Sequence, residues 1–490
     1  MRPLILAALL PALPAQALTP EELWSRWQAQ AEDWGLALRP AAVEEEPDGT
    51  LVLRGLGVLW PGEGVVPLLP GGSGDVILRP LGDGSVEIDP GLAPNGLVEQ
   101  RRPDGLSRLE LPDLSLRARE DGAGLRYEGR ADRLRLLEEG GASLFALEVR
   151  APTIALAGLG TVASPWSLRL EAQGYASLSE TPDPFGDGTG SQATVHDGDL
   201  SAEGTLVLPE GARLADILAS AAALVAALEG GLVLDLAVEG GASRQAVTAT
   251  GFPFPFDYVA ESGPATGSLR LDREALAIGT TYSSGTATFG LPDLGLENLA
   301  LAFEGGDVLL RLPVAPGEWR TRLAIGDITA DEAAWAALDP EGHLPRGPFR
   351  LVLDLAGRMT ADWAAVAAAA EGETEPPPPP RIESVELRRL DLAGLGLAAT
   401  GSGAFLFPDG AFPEDGSLPR AEGAAILRLT GLDRLLDSLV AGGWLAPQDA
   451  LAVRLALGAG FRAVGPDIRE GRLETAADGT LRLNDLPLPP

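Results

Sequence analysis

The sequence predicts an α+β fold that is predominantly antiparallel β: a large meandering curved sheet with a few peripheral helices. Three observations predict it. Apolar and polar residues alternate with period two in segments spread along the whole chain, among them residues 114–119, 268–272 and 308–312, the pattern of strands with one sheltered face. Asp-Gly pairs, which accept the positive φ angles of tight hairpins, precede several of these segments (Asp48-Gly49, Asp83-Gly84, Asp478-Gly479). Helical patterns punctuate the strands but do not follow each of them, which disfavours doubly wound and (β/α)-barrel folds.

At the start of the chain, Arg2, an apolar run over residues 4–10 and Ala15-Gln16-Ala17 have the layout of a secretory signal peptide, with cleavage expected after Ala17. The run is too short to cross a bilayer, which takes about 20 apolar residues. The later apolar stretch 217–228 is also too short, so no transmembrane segment is expected after signal removal. Without a lipobox cysteine, the expected location is the periplasm. A helix follows at once: Thr19 and Glu22 form a capping box, Pro20 takes the first helical position, and Leu23, Trp24, Trp27 and Trp34 recur at helical spacing. Its acidic residues Glu21, Glu22, Glu32 and Asp33 argue for packing of this tryptophan stripe against the protein, away from an anionic membrane. Further helices are expected over 213–229, over 330–338 behind a Thr329/Glu332 capping box, over 361–370 capped by Thr360, and as a helical hairpin over 431–441 and 447–461 broken at Gly442-Gly443.

The sharpest change in composition is Glu373-Thr374-Glu375 followed by five prolines at 376–380, a stiff solvated stretch. It divides the mature chain into a β-rich main region (18–372), a Pro-rich linker or loop (373–380) and a C-terminal β region with the helical hairpin (381–490).

Composition excludes several function classes. The 490 residues carry 37 basic and 70 acidic side chains, a net charge of −33, with no cysteine and two histidines. Every basic residue is an arginine. A disulfide scaffold, a thiolate metal site, a cysteine nucleophile and a Schiff-base or P-loop lysine are therefore impossible. Nucleic acid is not an expected partner, because binding to its backbone is driven by clustered positive charge. His196 and His343 stand in turn-like contexts without a surrounding motif. Two G-x-G-x-x-A matches (158–163 and 394–399) lie outside any strand-turn-helix unit, and no serine sits in a nucleophile elbow. No catalytic residue, metal ligand or cofactor is nominated, and the chain is read as non-enzymatic.

Two features stand out from this background. In Phe252-Pro253-Phe254-Pro255-Phe256-Asp257-Tyr258, an extended backbone puts Phe252, Phe254, Phe256 and Tyr258 on one face. The prolines cannot donate to a ladder, which predicts an edge strand or a lip. Such a row either covers an apolar ligand or plugs a core. Residues 101–135 hold nine arginines against seven acids in a strongly acidic chain. Arg117 and Arg119 fall on the solvent side of their strand, where they can meet a phosphate headgroup or an acidic partner, or pair across the hairpin with Glu128.

The segment Leu18-Thr19-Pro20-Glu21-Glu22-Leu23-Trp24 resembles the mature N-terminus of an uncharacterised alphaproteobacterial family of secreted proteins, a domain of unknown function. The closing segment, with its helical hairpin around Gly442-Gly443-Trp444 and Asp478-Gly479-Thr480-Leu481-Arg482-Leu483-Asn484 before Leu486-Pro487-Leu488, is similar to that family's ending. The resemblance implies no activity and no site residues. At the level of fold, the strand-turn rhythm and the closing Asp-Gly-x-Leu-x-x-Asn are similar to AsmA-like envelope proteins, which build curved β-grooves for lipids. The expected function is apolar-ligand (lipid) binding in a curved β-sheet groove. A structural or interaction protein of the cell envelope ranks second, with an envelope protein as partner, and a carboxylate-based hydrolase third.

Overall fold

The computed structural model describes residues 17–490 apart from 61–63, 68–73, 93–95, 103–104, 121–123, 141–142, 159–164, 183–188, 250–254, 292–295, 371–378, 409–419, 476–479, 485 and 489–490. The signal-like segment, Phe252, Phe254, the Asp478-Gly479 turn and most of the proline run lie outside the described residues. The chain is mostly β, as the alternation predicts, and divides into two units: Met1–Ala176 with Asp199–Ala223, and Ser177–Gly198 with Leu224–Pro490. Among the described residues, no helix is long and apolar enough to cross a membrane.

In the first unit the tryptophan helix α1 spans Pro20–Asp33. Its capping box is formed as expected: the Glu22 amide donates to Thr19 Oγ1 at 3.2 Å and the Thr19 amide to Glu22 Oε2 at 3.0 Å. Behind it runs a meander in which Ala42–Glu45, Leu51–Arg54, Val76–Pro80, Val86–Asp89, Ser115–Glu120, Leu125–Arg130, Thr153–Ala157 and residues 167–171 pair antiparallel in that order. The predicted turns are built. Gly49 and Gly84 take φ of +83° and +81°, and Asp48 and Asp83 accept from the amides of Thr50 and Ser85 at 3.0 Å. One sheet face presents Leu51, Leu53, Val76, Leu78, Val86, Ile88 and Ala118, and α1 covers it with Leu23 and Trp24. Each large side chain so buried contributes about 1.5–3 kcal/mol. This unit has a conventional core.

The second unit is one long meander. Val233–Ala249 pairs with Phe256–Ser262 and Ala265–Leu271, these with Gly285–Leu291 and Ala275–Tyr282, and these with Leu296–Phe303 and Gly306–Pro313. The ladder continues through Gly317–Ala330, Phe349–Thr360, Arg381–Gly394, Leu397–Leu406, Glu422–Thr430 and Ile468–Thr475. The strands on either side of the proline run, Phe349–Thr360 and Arg381–Gly394, pair directly with each other.

A row of two-residue irregularities crosses this sheet at Gly263-Pro264, Ser283-Ser284, Glu304-Gly305 and Gly326-Asp327. Backbone bonds bridge it: Gly263 N to Ser284 O at 3.0 Å, Ser283 N to Pro264 O at 3.0 Å and Gly326 N to Gly305 O at 2.7 Å. Gly305 needs its freedom, with φ of +101°. The apolar phase switches here in every strand, from Leu276 and Ile278 to Ala287 and Phe289, and from Leu299 and Leu301 to Val308 and Leu310. Because the extra residues are aligned, the switch keeps apolar side chains on one side of the sheet. The rings of Tyr282 and Phe303, from opposite sides of the row, touch at 5.9 Å.

Helix boundaries differ from the sequence reading in three places. The 213–229 segment is two helices, α2 (Leu214–Ile217) and α3 (Ala221–Glu229), because Ser220 caps the second by accepting from the Ala223 amide at 3.0 Å. Helix α4 (Glu332–Leu338) is capped by Asp331, which accepts from the Ala334 amide at 2.7 Å; Thr329 belongs to the preceding strand. Helix α5 (Trp363–Ala370) likewise starts after Asp362, which accepts from the Ala365 amide at 2.9 Å, and Thr360 ends a strand. The helical hairpin forms as α6 (Leu432–Ala441) and α7 (Pro447–Gly460).

Five aromatic rings lie over glycines directly across the ladder: Phe303 over Gly285, Tyr282 over Gly306, Trp319 over Gly357, Phe349 over Gly394 and Phe461 over Gly471. A Cβ on Gly285 would stand 2.5 Å from Phe303 Cζ and 2.2 Å from the Glu261 carbonyl oxygen. Gly285→Ala is therefore expected to cost about 1–3 kcal/mol in urea unfolding. Gly458, inside α7 with nothing within 4 Å of such a Cβ, should respond oppositely, Gly458→Ala stabilising by about 0.5–1 kcal/mol.

Candidate functional site: an open apolar sheet face

Cross-strand register in the second unit sorts side chains by character. One line reads Val238, Gly267, Thr280, Val308, Leu323, Leu353, Leu390, Gly401, Leu427, Gly471. The next, on the same face, includes Leu236, Leu269, Ile278, Leu310, Leu355 and Leu387, and a third includes Tyr282, Ile325, Leu351, Leu392 and Leu429. With strands about 4.8 Å apart, ten strands make a lane roughly 40 Å long.

The intervening residues face the other way and are mostly charged or small, with Leu309 and Val352 among them. Arg320 grips Asp354 with two bonds (Nε to Oδ1 3.0 Å, Nη2 to Oδ2 2.8 Å), and Arg322 holds Asp307 at 2.6 Å. Arg388 reaches Glu318 at 2.7 Å, and Arg270 reaches Asp235 at 3.2 Å. The Arg320 guanidinium holds the Asp354 carboxyl below the usual carboxylate range against the opposing effect of burial.

Burial is inverted relative to an ordinary sheet. In Phe349–Thr360 the buried residues Val352 (8% exposed), Asp354 (5%) and Ala356 (0%) lie on the charged face, whereas Leu351, Leu353 and Leu355 on the apolar face are only half-buried. Ile278, Val308 and Leu392 on the apolar face are 44%, 38% and 40% exposed. Among the described residues of this unit, seven apolar side chains larger than alanine are buried: Leu228, Leu232, Pro313, Trp335, Val352, Met359 and Leu436.

Of the sequence-predicted aromatic row, Phe256 and Tyr258 are described. They open the strand Phe256–Ser262, which is not an edge strand: Val233–Ala249 and Gly285–Leu291 flank it. Among the described residues the ladder reaches the Ala249–Phe256 pair, just past Pro255; Pro253 lies outside the described residues. Tyr258 meets Phe289 at 4.8 Å, and burial raises the hydroxyl pKa of both Tyr258 and Tyr282. Phe289, Tyr282, Phe303, Trp319 and Phe349 continue the aromatic surface, and sequence reasoning missed them. The switch of apolar phase at Gly263, Ser283 and Gly305 is the signal that would have found them.

The first unit holds two further concavities. A cleft of about 880 Å³ lies beside α1, walled by Trp34, Leu125, Tyr127, Leu208 and Pro209, with Arg26 and Arg213 at its polar side. Trp27 Nε1 donates to the Tyr127 hydroxyl at 2.9 Å, Arg26 Nη2 lies 3.1 Å from both oxygens of Glu120, and Trp34 packs edge-on to Trp166 at 4.6 Å. These contacts fix α1 to the sheet. The second concavity, of about 460 Å³, lies on the sheet face that carries Arg117. Of the two arginines expected to pair with Glu128, Arg119 does so at 2.9 Å, an exposed contact of about 0.2–1 kcal/mol. It reaches Glu128 diagonally, because the register sets Arg119 opposite Arg126 and Arg117 opposite Glu128. His343 lies 3.9 Å from the buried Asp339 and 3.6 Å from Glu341. Among the described residues, no group of three or more His, Asp or Glu side chains could hold a metal ion. No family model, curated protein or solved structure matches the chain.

Asp354 yields a prediction with a defined sign. Its depressed carboxyl stabilises the fold above the unfolded-state value of about 3.9 and loses that contribution as pH falls through the folded-state value. Asp354→Asn should cost about 1–3 kcal/mol at pH 7. Denaturant unfolding of the two proteins should converge as the pH is lowered below about 4.

Proposed function

We propose that this protein is a non-enzymatic, periplasmic lipid-binding protein whose second unit receives acyl chains along the open leucine face. The observation that carries the reading is the inverted burial of Phe349–Thr360, where Asp354 is more sheltered than the leucines on either side. A water-exposed apolar lane is unfavourable by roughly 25 cal/mol per Å², and an acyl chain laid along it removes that area from water. Transfer of the chain from a bilayer to such a lane is close to neutral, whereas passage through water costs about 0.8 kcal/mol per CH₂. The three apolar lines carry no charged residue between Val238 and Leu427, so an alkyl chain meets no charge to desolvate along them. By fold-level analogy the reading sets the chain beside the AsmA-like groove proteins.

Quenched vesicles containing NBD-labelled phosphatidylethanolamine test it: purified protein should extract the probe and restore its fluorescence. Leu353→Glu, which places a charge mid-lane, should reduce extraction by about tenfold or more. Leu309→Glu, on the opposite face beside Arg322, should leave it within about twofold at comparable folded stability. No extraction by the unmodified protein, or equal loss in both variants, would sink the proposal.

A further inference from the structure

We propose that the first unit carries a separate phosphate-binding site, with Arg117 and Arg130 as the residues that hold the anion. The site is the 460 Å³ depression on the charged face of the meander, and it does not depend on the lipid reading of the second unit. Register explains why there is a depression. Arg117 stands opposite Glu128, and Arg130 opposite Ser115 on one side and Thr153 on the other. The next strand contributes only Thr153 and Ala155 to this face, and the strand beyond it places Arg169 opposite Ala155. Short side chains on one strand, flanked by arginines on both sides, sink the floor between two walls of guanidinium.

The charges around this floor are unequal in their engagements. Glu128 is already held twice, by Arg119 at 2.9 Å and by Arg126 at 3.0 Å. Glu171 is held by Arg169 at 3.0 Å. Glu87, opposite Arg117 on its other side, is 3.4 Å from Arg79. Among the described residues, Arg117 and Arg130 have no acidic partner within ion-pair distance. Four arginines (Arg117, Arg126, Arg130 and Arg169) thus line the floor with two glutamates, and the two unpaired guanidiniums are diagonal neighbours on adjacent strands. Diagonal neighbours stand about 7–8 Å apart, with their Cβ atoms somewhat closer, a span that two long side chains close onto one tetrahedral oxyanion. Arginine suits this role because its planar fork donates two parallel bonds to a phosphate. In a chain of net charge −33, the overall field repels anions, so binding here must come from local geometry.

The chemistry is shared by a free phosphate and a phospholipid headgroup, and the test separates them. Titration calorimetry of the full chain with inorganic phosphate should detect binding. Arg117→Gln and Arg130→Gln should each weaken it about tenfold, the loss of one charge-assisted fork. Glu128→Gln should tighten it a few-fold by removing a competing carboxylate, a gain that a merely structural role for these residues does not produce. Thermal melts of the variants should stay near that of the parent, since all three side chains are on the solvent side. Flotation with phosphatidylcholine vesicles, with and without phosphatidic acid, identifies the source. Arginine-dependent binding only to the acidic vesicles assigns a headgroup, and phosphate binding without flotation assigns a soluble phosphate. Absence of both, or binding indifferent to Arg117 and Arg130, would overturn the site.

Discussion

Strand register in the second unit is the constraint on which everything else rests. Each strand there pairs with its neighbours in sequence, so the phase of its apolar residues alone decides which way they point. A one-residue slip in a single strand would send its leucines to the charged face and its arginines among the leucines. The aligned irregularities at Gly263, Ser283, Gly305 and Gly326 are part of this control. The strands from Val233–Ala249 to Gly317–Ala330 take up extra residues at the same level, and Phe349–Thr360 runs past Gly326-Asp327 without them, so the ladder continues with its apolar side unchanged. Arg320–Asp354 and Arg322–Asp307 fix the same register from the other side, because a displaced strand would strand a carboxylate without its guanidinium.

The two units meet the same problem in different ways. In the first, α1 lays Leu23 and Trp24 over the apolar face and closes a core. In the second, leucines on every described line remain half-buried or exposed, while the charged face shelters Val352 and Ala356 beneath long arginine stems. This inversion needs small residues among the charges, and Ala277, Gly279, Ala324, Ala404 and Ala424 supply them. The acids outnumber the arginines by 70 to 37, so unpaired acidic charge remains after the arginines are committed to carboxylates, and like charge of this size opposes the approach of one copy to another.

Much of this was legible in the sequence, and the failures have physical causes. The Thr19/Glu22 box, the Asp48-Gly49 and Asp83-Gly84 turns, the period-two strands and the helical hairpin depend on residues within a few positions of each other, and the structure holds each of them. The caps at Thr329 and Thr360 were misplaced by two residues because a neighbouring strand claimed both threonines for its ladder, leaving Asp331 and Asp362 to cap. Tyr258 was singled out, but its partner Phe289 lies two strands of sequence away, and no local pattern joins them. The leucine lane is less visible still. Leu323, Leu353 and Leu390 become neighbours only once three registers are known, and a bulge at Leu387–Leu390 shifts one of them.

The aromatic residues bear on why this face does not fill itself. A sheet surface that mates with a second layer presents protruding side chains that interdigitate, at close-packed density. Here Tyr282, Phe303, Trp319 and Phe349 instead lie down over Gly306, Gly285, Gly357 and Gly394 on the adjacent strands. A ring lying over a glycine contributes area but little relief, and it occupies the hole that a partner's side chain would enter. Glycine at those positions is otherwise unfavourable in a strand, so the ring also restores packing that the missing side chain would have given. The product is a smooth apolar floor. Rigid protein surfaces gain their contacts by complementarity of shape and gain little on such a floor, whereas a flexible alkyl chain conforms to it along its whole length. The glycine–aromatic pairs thus favour a chain-like occupant over a second protein layer.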